Sequence, residues 1–171
     1  MRPRSLIVIV MGVAGAGKTT VGSRLAASLA CEFIDADDYH PPASVAKMRA
    51  GQPLGDDDRS PWLARLNGVL QERAQRGAGV VLACSALKAS YREALARGLA
   101  DARLVYLRGS KAVIGPRLAG RGGHFMNPAL LDSQFAALEE PRDAIVVDVD
   151  ETPEALVGAI RAGLAAARPA R

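Results

Sequence analysis

Aromatic residues make up only 4% of this 171-residue sequence, and cysteine and histidine occur just twice each. With so few rings there is no stacking platform for exposed bases, and the basic residues are scattered rather than gathered in a stripe, so no nucleic-acid partner is expected. Cys31 and Cys84 provide no disulfide framework, and no paired Cys/His spacing resembles a zinc site. Long apolar runs are missing as well. The run Leu6 to Met11 is far short of the ~20 residues that cross a bilayer, so no membrane span is expected. The start Met1-Arg2-Pro3-Arg4 has the charge of a signal peptide but lacks its long apolar stretch, and a cytoplasmic location is expected. Neither a linker nor a repeat breaks the chain, which predicts one domain over residues 1–171.

What is present is an apolar content of 49% and a formal charge of +4. The first is ample for a core, and the second suits the binding of small anions. Continuous apolar runs at Leu6 to Met11, Val80 to Cys84, Leu104 to Leu107 and Ala144 to Val147, with a shorter one at Phe33-Ile34, read as strands buried on both faces. Between them the spacing turns helical: Val21, Leu25 and Leu29 share one face, and Trp62, Leu66 and Val69 share another, which ends at Gly77. Trp62 is read as core. A last helix is predicted after Thr152 and Pro153, with Leu156, Ile160 and Leu164 inward. The alternation predicts an α/β fold with a five-stranded parallel sheet and helices on both faces. Ligands in such sheets collect beyond the carboxyl ends of the strands. Two stretches break the alternation: residues 36–60, read as an irregular substrate-binding region, and 117–128, read as a lid.

Gly12-Val13-Ala14-Gly15-Ala16-Gly17-Lys18-Thr19 matches the phosphate-loop pattern at every fixed position, with a buried strand before it and an amphipathic helix after it. Glycines let successive backbone N–H groups turn toward an anion, and the following helix N-terminus adds positive potential. Lys18 can reach the outer phosphates of ATP, and the Thr19 hydroxyl can ligate Mg²⁺. The strand Val80 to Cys84 ends without the metal-binding Asp of GTPases and many ATPases, and no guanine-reading Asn-Lys-x-Asp tetrad is present. Asp35, at the end of the short strand, is therefore the candidate second metal group. Asp35 and Asp37 alternate along an extended chain and so are expected to face one cleft, with Asp37 taking the proton of an acceptor hydroxyl. Asp58 can equally cap the helix that carries Trp62, and Ser85 can cap a helix starting near Lys88 or contact a ligand.

Together these segments resemble the gluconokinase family. The likeness rests on the phosphate loop, Asp37 with His40-Pro41, Lys47-Met48, Gly51 with Pro53-Leu54, Asp56 to Arg59 with Pro61-Trp62-Leu63, Cys84 to Lys88 with Tyr91-Arg92, Arg117-Leu118, Gly123-His124-Phe125, and Gln134-Phe135 with Leu138-Glu139. Gly55 and the pair Gly122-Gly123 depart from the usual pattern. The resemblance implies a P-loop NTPase fold like that of nucleoside monophosphate and shikimate kinases, and ATP- and Mg²⁺-dependent phosphorylation of D-gluconate at its 6-hydroxyl. It also implies a cytoplasmic enzyme of a family whose members are often homodimers. On this reading Lys18, Asp37 and Arg121 are catalytic, and Arg117 lies near the adenine. Arg59 grips the acceptor carboxylate, while His40, Asp58, Ser85, Lys88 and His124 contact the acceptor. The rival readings are a kinase for shikimate or a nucleoside monophosphate, and a nucleotide-binding switch without turnover.

Overall fold

The computed structural model describes residues 5–120 and 128–167. In chain order the elements are β1 (Ile7–Met11), α1 (Lys18–Leu29), β2 (Glu32–Asp35), a single 3-10 turn (Ala36–Tyr39), α2 (Pro42–Arg49), α3 (Asp56–Gln75), β3 (Val80–Ala83), α4 (Ala89–Ala96), β4 (Arg103–Arg108), α5 (Lys111–Ala119), α6 (Pro128–Ala137), β5 (Ile145–Asp148) and α7 (Pro153–Ala166). The five strands form one sheet in the order β2-β3-β1-β4-β5. Every neighbouring pair is parallel. The chain visits one side of β1 for β2 and β3 and the other side for β4 and β5, so a crevice opens at the carboxyl end of β1.

Side chains on a strand point alternately to opposite faces, and β1 divides its residues accordingly. Val8 and Val10 enter a core shared with Leu25 of α1, Ile114 of α5 and Ile160 of α7. Ile7, Ile9 and Met11 enter a second core with Trp62, Leu66 and Leu70 of α3 and Leu95 of α4. These two cores are why β1 reads as an unbroken apolar run. Leu66 is 1% exposed, so Leu66→Ala would cost about 2–5 kcal/mol through lost burial and the cavity left behind.

Two expectations change. The outer strands are not buried on both faces: β2 exposes Glu32, and β5 exposes Asp148 and Val146, the latter 40% accessible. An edge strand packs helices on fewer sides and needs fewer apolar residues. Residues 36–60, read as irregular, are largely helical. Pro42 opens α2 in its first turn, and the acidic run Asp56 to Asp58 lies in the first turn of α3, where carboxylates oppose the positive end of the helix dipole. Proline and acidic residues here mark helix starts. The stop at Gly77 is observed, at φ +75°, as is the Thr152 cap, whose hydroxyl accepts from Ala155 N–H. The expected lid begins within the last residues of α5. Its residues 121–127, with Arg121, Gly122, Gly123 and His124, lie outside the described residues.

Candidate active site

The phosphate loop runs from β1 into α1 through two left-handed glycines, Gly15 at φ +79° and Gly17 at φ +95°. Gly15 is also short of room: a Cβ there would stand 2.7 Å from Leu118 Cγ. The C-terminal half of α5 therefore lies on the loop. Lys18 Nζ donates to Val13 O at 3.0 Å, folding the side chain along the loop. Gly12 N–H reaches Ser85 O, so the loop is tied to the end of β3. The N-terminus of α1 faces the same end of the sheet.

Thr19 Oγ1 donates to Asp35 Oδ2 at 3.0 Å, and Asp35 Oδ1 accepts from Asp37 N–H, also at 3.0 Å. Asp35 thus caps the 3-10 turn while reaching the phosphate loop. Asp37 is set beside Asp35 by this turn and not by strand alternation, because extended structure ends at Asp35, and neither Asp37 nor His40 is among the residues that line the cavity of Arg59 and Lys88. The Asp37 side chain is 85% exposed, with Oδ1 3.5 Å from His40 Nε2. The His40 hydrogen bond, reinforced by the charges of His40 and Lys18, holds the Asp37 carboxyl below the ordinary carboxylate value. The His40 side chain is only 5% exposed, stacked on Trp62 at 4.2 Å between ring centroids. Trp62 Nε1 in turn donates to Ala36 O. Trp62 is core, as expected, and also the floor that orients His40 beneath Asp37.

A cavity of about 350 Å³ opens beside the loop and is lined by Arg59, Ser85 and Lys88 together with Asp56, Tyr91 and Gln134. Asp56 Oδ1 accepts from Lys88 Nζ at 3.1 Å and from the Tyr91 hydroxyl. These donors, Tyr91 first, hold the Asp56 carboxyl below its ordinary value, while Asp56 raises Lys88. Burial, then the bond to Asp56, raises the Tyr91 hydroxyl. Arg59 lies over the Tyr91 ring, 5.5 Å from its centroid. Two cationic side chains, one paired internally, thus share a wall around one aromatic ring.

Asp58 does not line this cavity. Its carboxylate accepts from Lys47 Nζ at 2.9 and 3.0 Å and from Gly55 N–H at 3.0 Å, so it caps α3 and anchors α2. Ser85 does not cap α4; Ala89 N–H is met by Glu139 Oε2 at 2.8 Å. Arg117 Nη2 donates to Val149 O at 2.5 Å, placing the guanidinium just past the end of β5. Asp56, Tyr91 and Gln134 carry no role in the sequence reading. The acidic triplet, the Tyr91-Arg92 pair and the Gln134-Phe135 pair hold the local signals for them, with no role attached to any of the three in the sequence.

Thr19 and Asp35 are suitably placed for a magnesium ion that takes most of its remaining ligands from phosphate and water, since Mg²⁺ commonly uses one or two protein groups in such sites. Among the described residues no group of three His, Cys, Asp or Glu side chains forms a closed metal cage.

A family profile described as an AAA domain matches residues 7–141. The chain is 49% identical to the gluconokinase of Gluconobacter oxydans over 84% of its length and 79% of that protein. It is 44% identical to a probable gluconokinase of Mus musculus, covering 92% of this chain and 97% of that one. The solved structure of a gluconokinase from Sinorhizobium meliloti superposes with a TM-score of 0.85 at 40% identity, covering 97% of this chain and 94% of that chain.

Proposed function

The chain belongs to the gluconokinase family, and from that premise we propose that it transfers the γ-phosphoryl group of ATP to the 6-hydroxyl of D-gluconate. The observation that carries the acceptor side is the cavity next to the phosphate loop, whose wall holds Arg59 and Lys88. A sugar acid needs a cation at one end and mixed donors and acceptors along its length. Arg59 meets the carboxylate with a planar fork. Ser85, Lys88 and Asp56 serve the hydroxyls.

On the donor side the loop amides and Lys18 neutralise the phosphate oxygens, and Arg117 stands near the adenine. Thr19 and Asp35 would hold Mg²⁺, which when bound would offset charge on the outer phosphates. Asp37 orients the acceptor hydroxyl and receives its proton as the P–O bond forms. Its depressed pKa makes it a weak base, which suits a largely dissociative transfer in which positioning outweighs early proton removal. His40 acts through Asp37, keeping the carboxylate aimed. No described helix is long and apolar enough to cross a membrane. A cytoplasmic homodimer without a nucleic-acid partner completes the proposal.

Purified protein assayed for ADP release against gluconate, shikimate and a panel of nucleoside monophosphates tests the reading. Turnover dependent on gluconate is expected. Turnover confined to another acceptor, or ATP binding without multiple turnovers, would overturn it.

A further inference from the structure

Ala14 sits at the crest of the phosphate loop, and its N–H is not satisfied by the loop itself. It donates to Gln134 Oε1 of α6, 2.7 Å away and 120 residues distant in sequence. Because an N–H requires an acceptor, the amide orientation of Gln134 is dictated by this bond. Gln134 also lines the acceptor cavity, so the same planar amide touches the loop that holds the donor and the space that receives the acceptor. Just after α6, Glu139 binds the loop that carries Ser85 and Lys88. Its N–H donates to Leu87 O at 2.9 Å, and its carboxylate accepts from Ala89 N–H. Arg92 closes the arrangement, donating to Ala86 O, Leu87 O and Glu139 O at 2.9 to 3.0 Å. Ala86, at φ +46°, lies in the left-handed region that a β-carbon disfavours, and these bonds hold it there.

We infer that Gln134 is a positioning residue that sets the distance between the phosphate loop and the acceptor cavity, acting on the transfer step more than on the binding of either substrate. The inference rests on the gluconate-kinase reading. The donor side is built from β1, α1 and Asp35 and the acceptor side from α3 and the loop after β3; the two meet where β1 pairs with β3 and at the Gly12 N–H to Ser85 O bond, and Gln134 adds the contact at the crest of the loop. With those contacts intact, substrates can bind when the Gln134 bridge is broken, but the crest of the loop is less firmly placed against the acceptor cavity. Misplacement on the scale of 1 Å costs transfer rates of order 10²-fold. A neutral amide suits the position, since a carboxylate there would set negative charge beside the phosphates.

The test is steady-state kinetics of Gln134→Met, which keeps length and bulk but loses the acceptor for Ala14 N–H, and of Gln134→Ala, which separates bulk from hydrogen bonding. Gln134 is half-buried on one side of α6, so both variants are expected to melt near the wild type. Expected is a fall in kcat of roughly 10- to 100-fold in both, with KM for ATP and for gluconate each within about threefold. A rise in the KM for ATP with kcat preserved would reduce Gln134 to a brace of the loop and overturn the inference. So would unchanged kinetics, or loss of folding in both variants. A wild-type protein inert toward gluconate sinks the functional reading itself, whereas an active wild type matched by its Gln134→Met variant sinks only this inference.

Discussion

The Thr19 hydroxyl donates to Asp35 Oδ2 across 3.0 Å, joining the first turn of α1 to the end of β2. One strand, β3, separates β2 from β1, so this bond spans the crevice in which the outer phosphates would lie. If Asp35 acts through the metal, Asp35→Asn lowers activity at limiting Mg²⁺, and raised Mg²⁺ restores part of it. A titration of kcat against Mg²⁺ checks this. An unchanged midpoint would remove Asp35 from the metal site.

Asp37 is expected to behave differently. Asp37→Asn still holds a hydroxyl but cannot take its proton, so kcat falls by roughly 10²- to 10⁴-fold while gluconate KM changes little and Mg²⁺ gives no rescue. Rescue of Asp37→Asn but not of Asp35→Asn by the metal would reverse the two assignments.

The pairing with His40 gives a pH signature. Asp37 is held below the ordinary carboxylate value of ~3.9, so it is ionised across the neutral range, and activity depending on that charge is lost only as pH falls through the depressed value. The stabilisation carried by the pair has the same sign, present above the unfolded value and fading as acid is added. Removing the donor in His40→Ala lets the Asp37 pKa climb back, and the acid limb of the kcat profile moves to higher pH. Profiles of both proteins, with folding followed by circular dichroism, decide the matter; a limb that stays put or moves down refutes the coupling.

Arg59 supplies a test of the acceptor cavity. Arg59→Lys keeps the charge but loses the fork and its stacking on Tyr91, so gluconate KM should rise roughly tenfold or more while ATP KM stays within error. An effect confined to ATP would move Arg59 to the donor side.

Gly15 joins two constraints at one point. Gly15→Ala puts a side chain at φ +79° and drives its Cβ toward Leu118 and Ile114, displacing α5 from the loop. The backbone conformation alone costs about 1–2 kcal/mol. A lower melting temperature together with weaker ATP binding is expected in calorimetry, and wild-type values for both would mean that α5 does not rest on the loop.

The parts of this architecture that are legible in the sequence are those whose cause is local. The phosphate loop is readable because its glycines, lysine and threonine must be consecutive. The strands β1, β3 and β4 are readable because both faces are covered, while β5 half-hides since Val146 and Asp148 face outward. Asp35 and Asp37 lie side by side, but through a turn and a cap in place of an extended strand. What escapes a linear reading is pairing at a distance. The Asp56–Tyr91 bond joins α3 to α4 across 35 residues, and Gln134 reaches Ala14 across 120. Asp58 illustrates the opposite hazard, because a carboxylate in a motif-rich stretch turns out to be engaged by Lys47 and Gly55.

The central place of β1 also sets the order in which the molecule can be made. Made before the other four strands, β1 hydrogen-bonds to β3 and β4, with Ile7 opposite Val80 and Val8 opposite Arg103, and it does not pair with β2, which follows it in sequence. A nascent chain that has not yet emitted residue 80 carries Ile7 to Met11 with no partner on either edge, and the glycine crest behind them has no frame. Contacts this distant in sequence slow the search for the native state and leave an apolar strand open to other chains meanwhile. The phosphate loop therefore gains its frame only after β3 and β4 have been made and paired with β1.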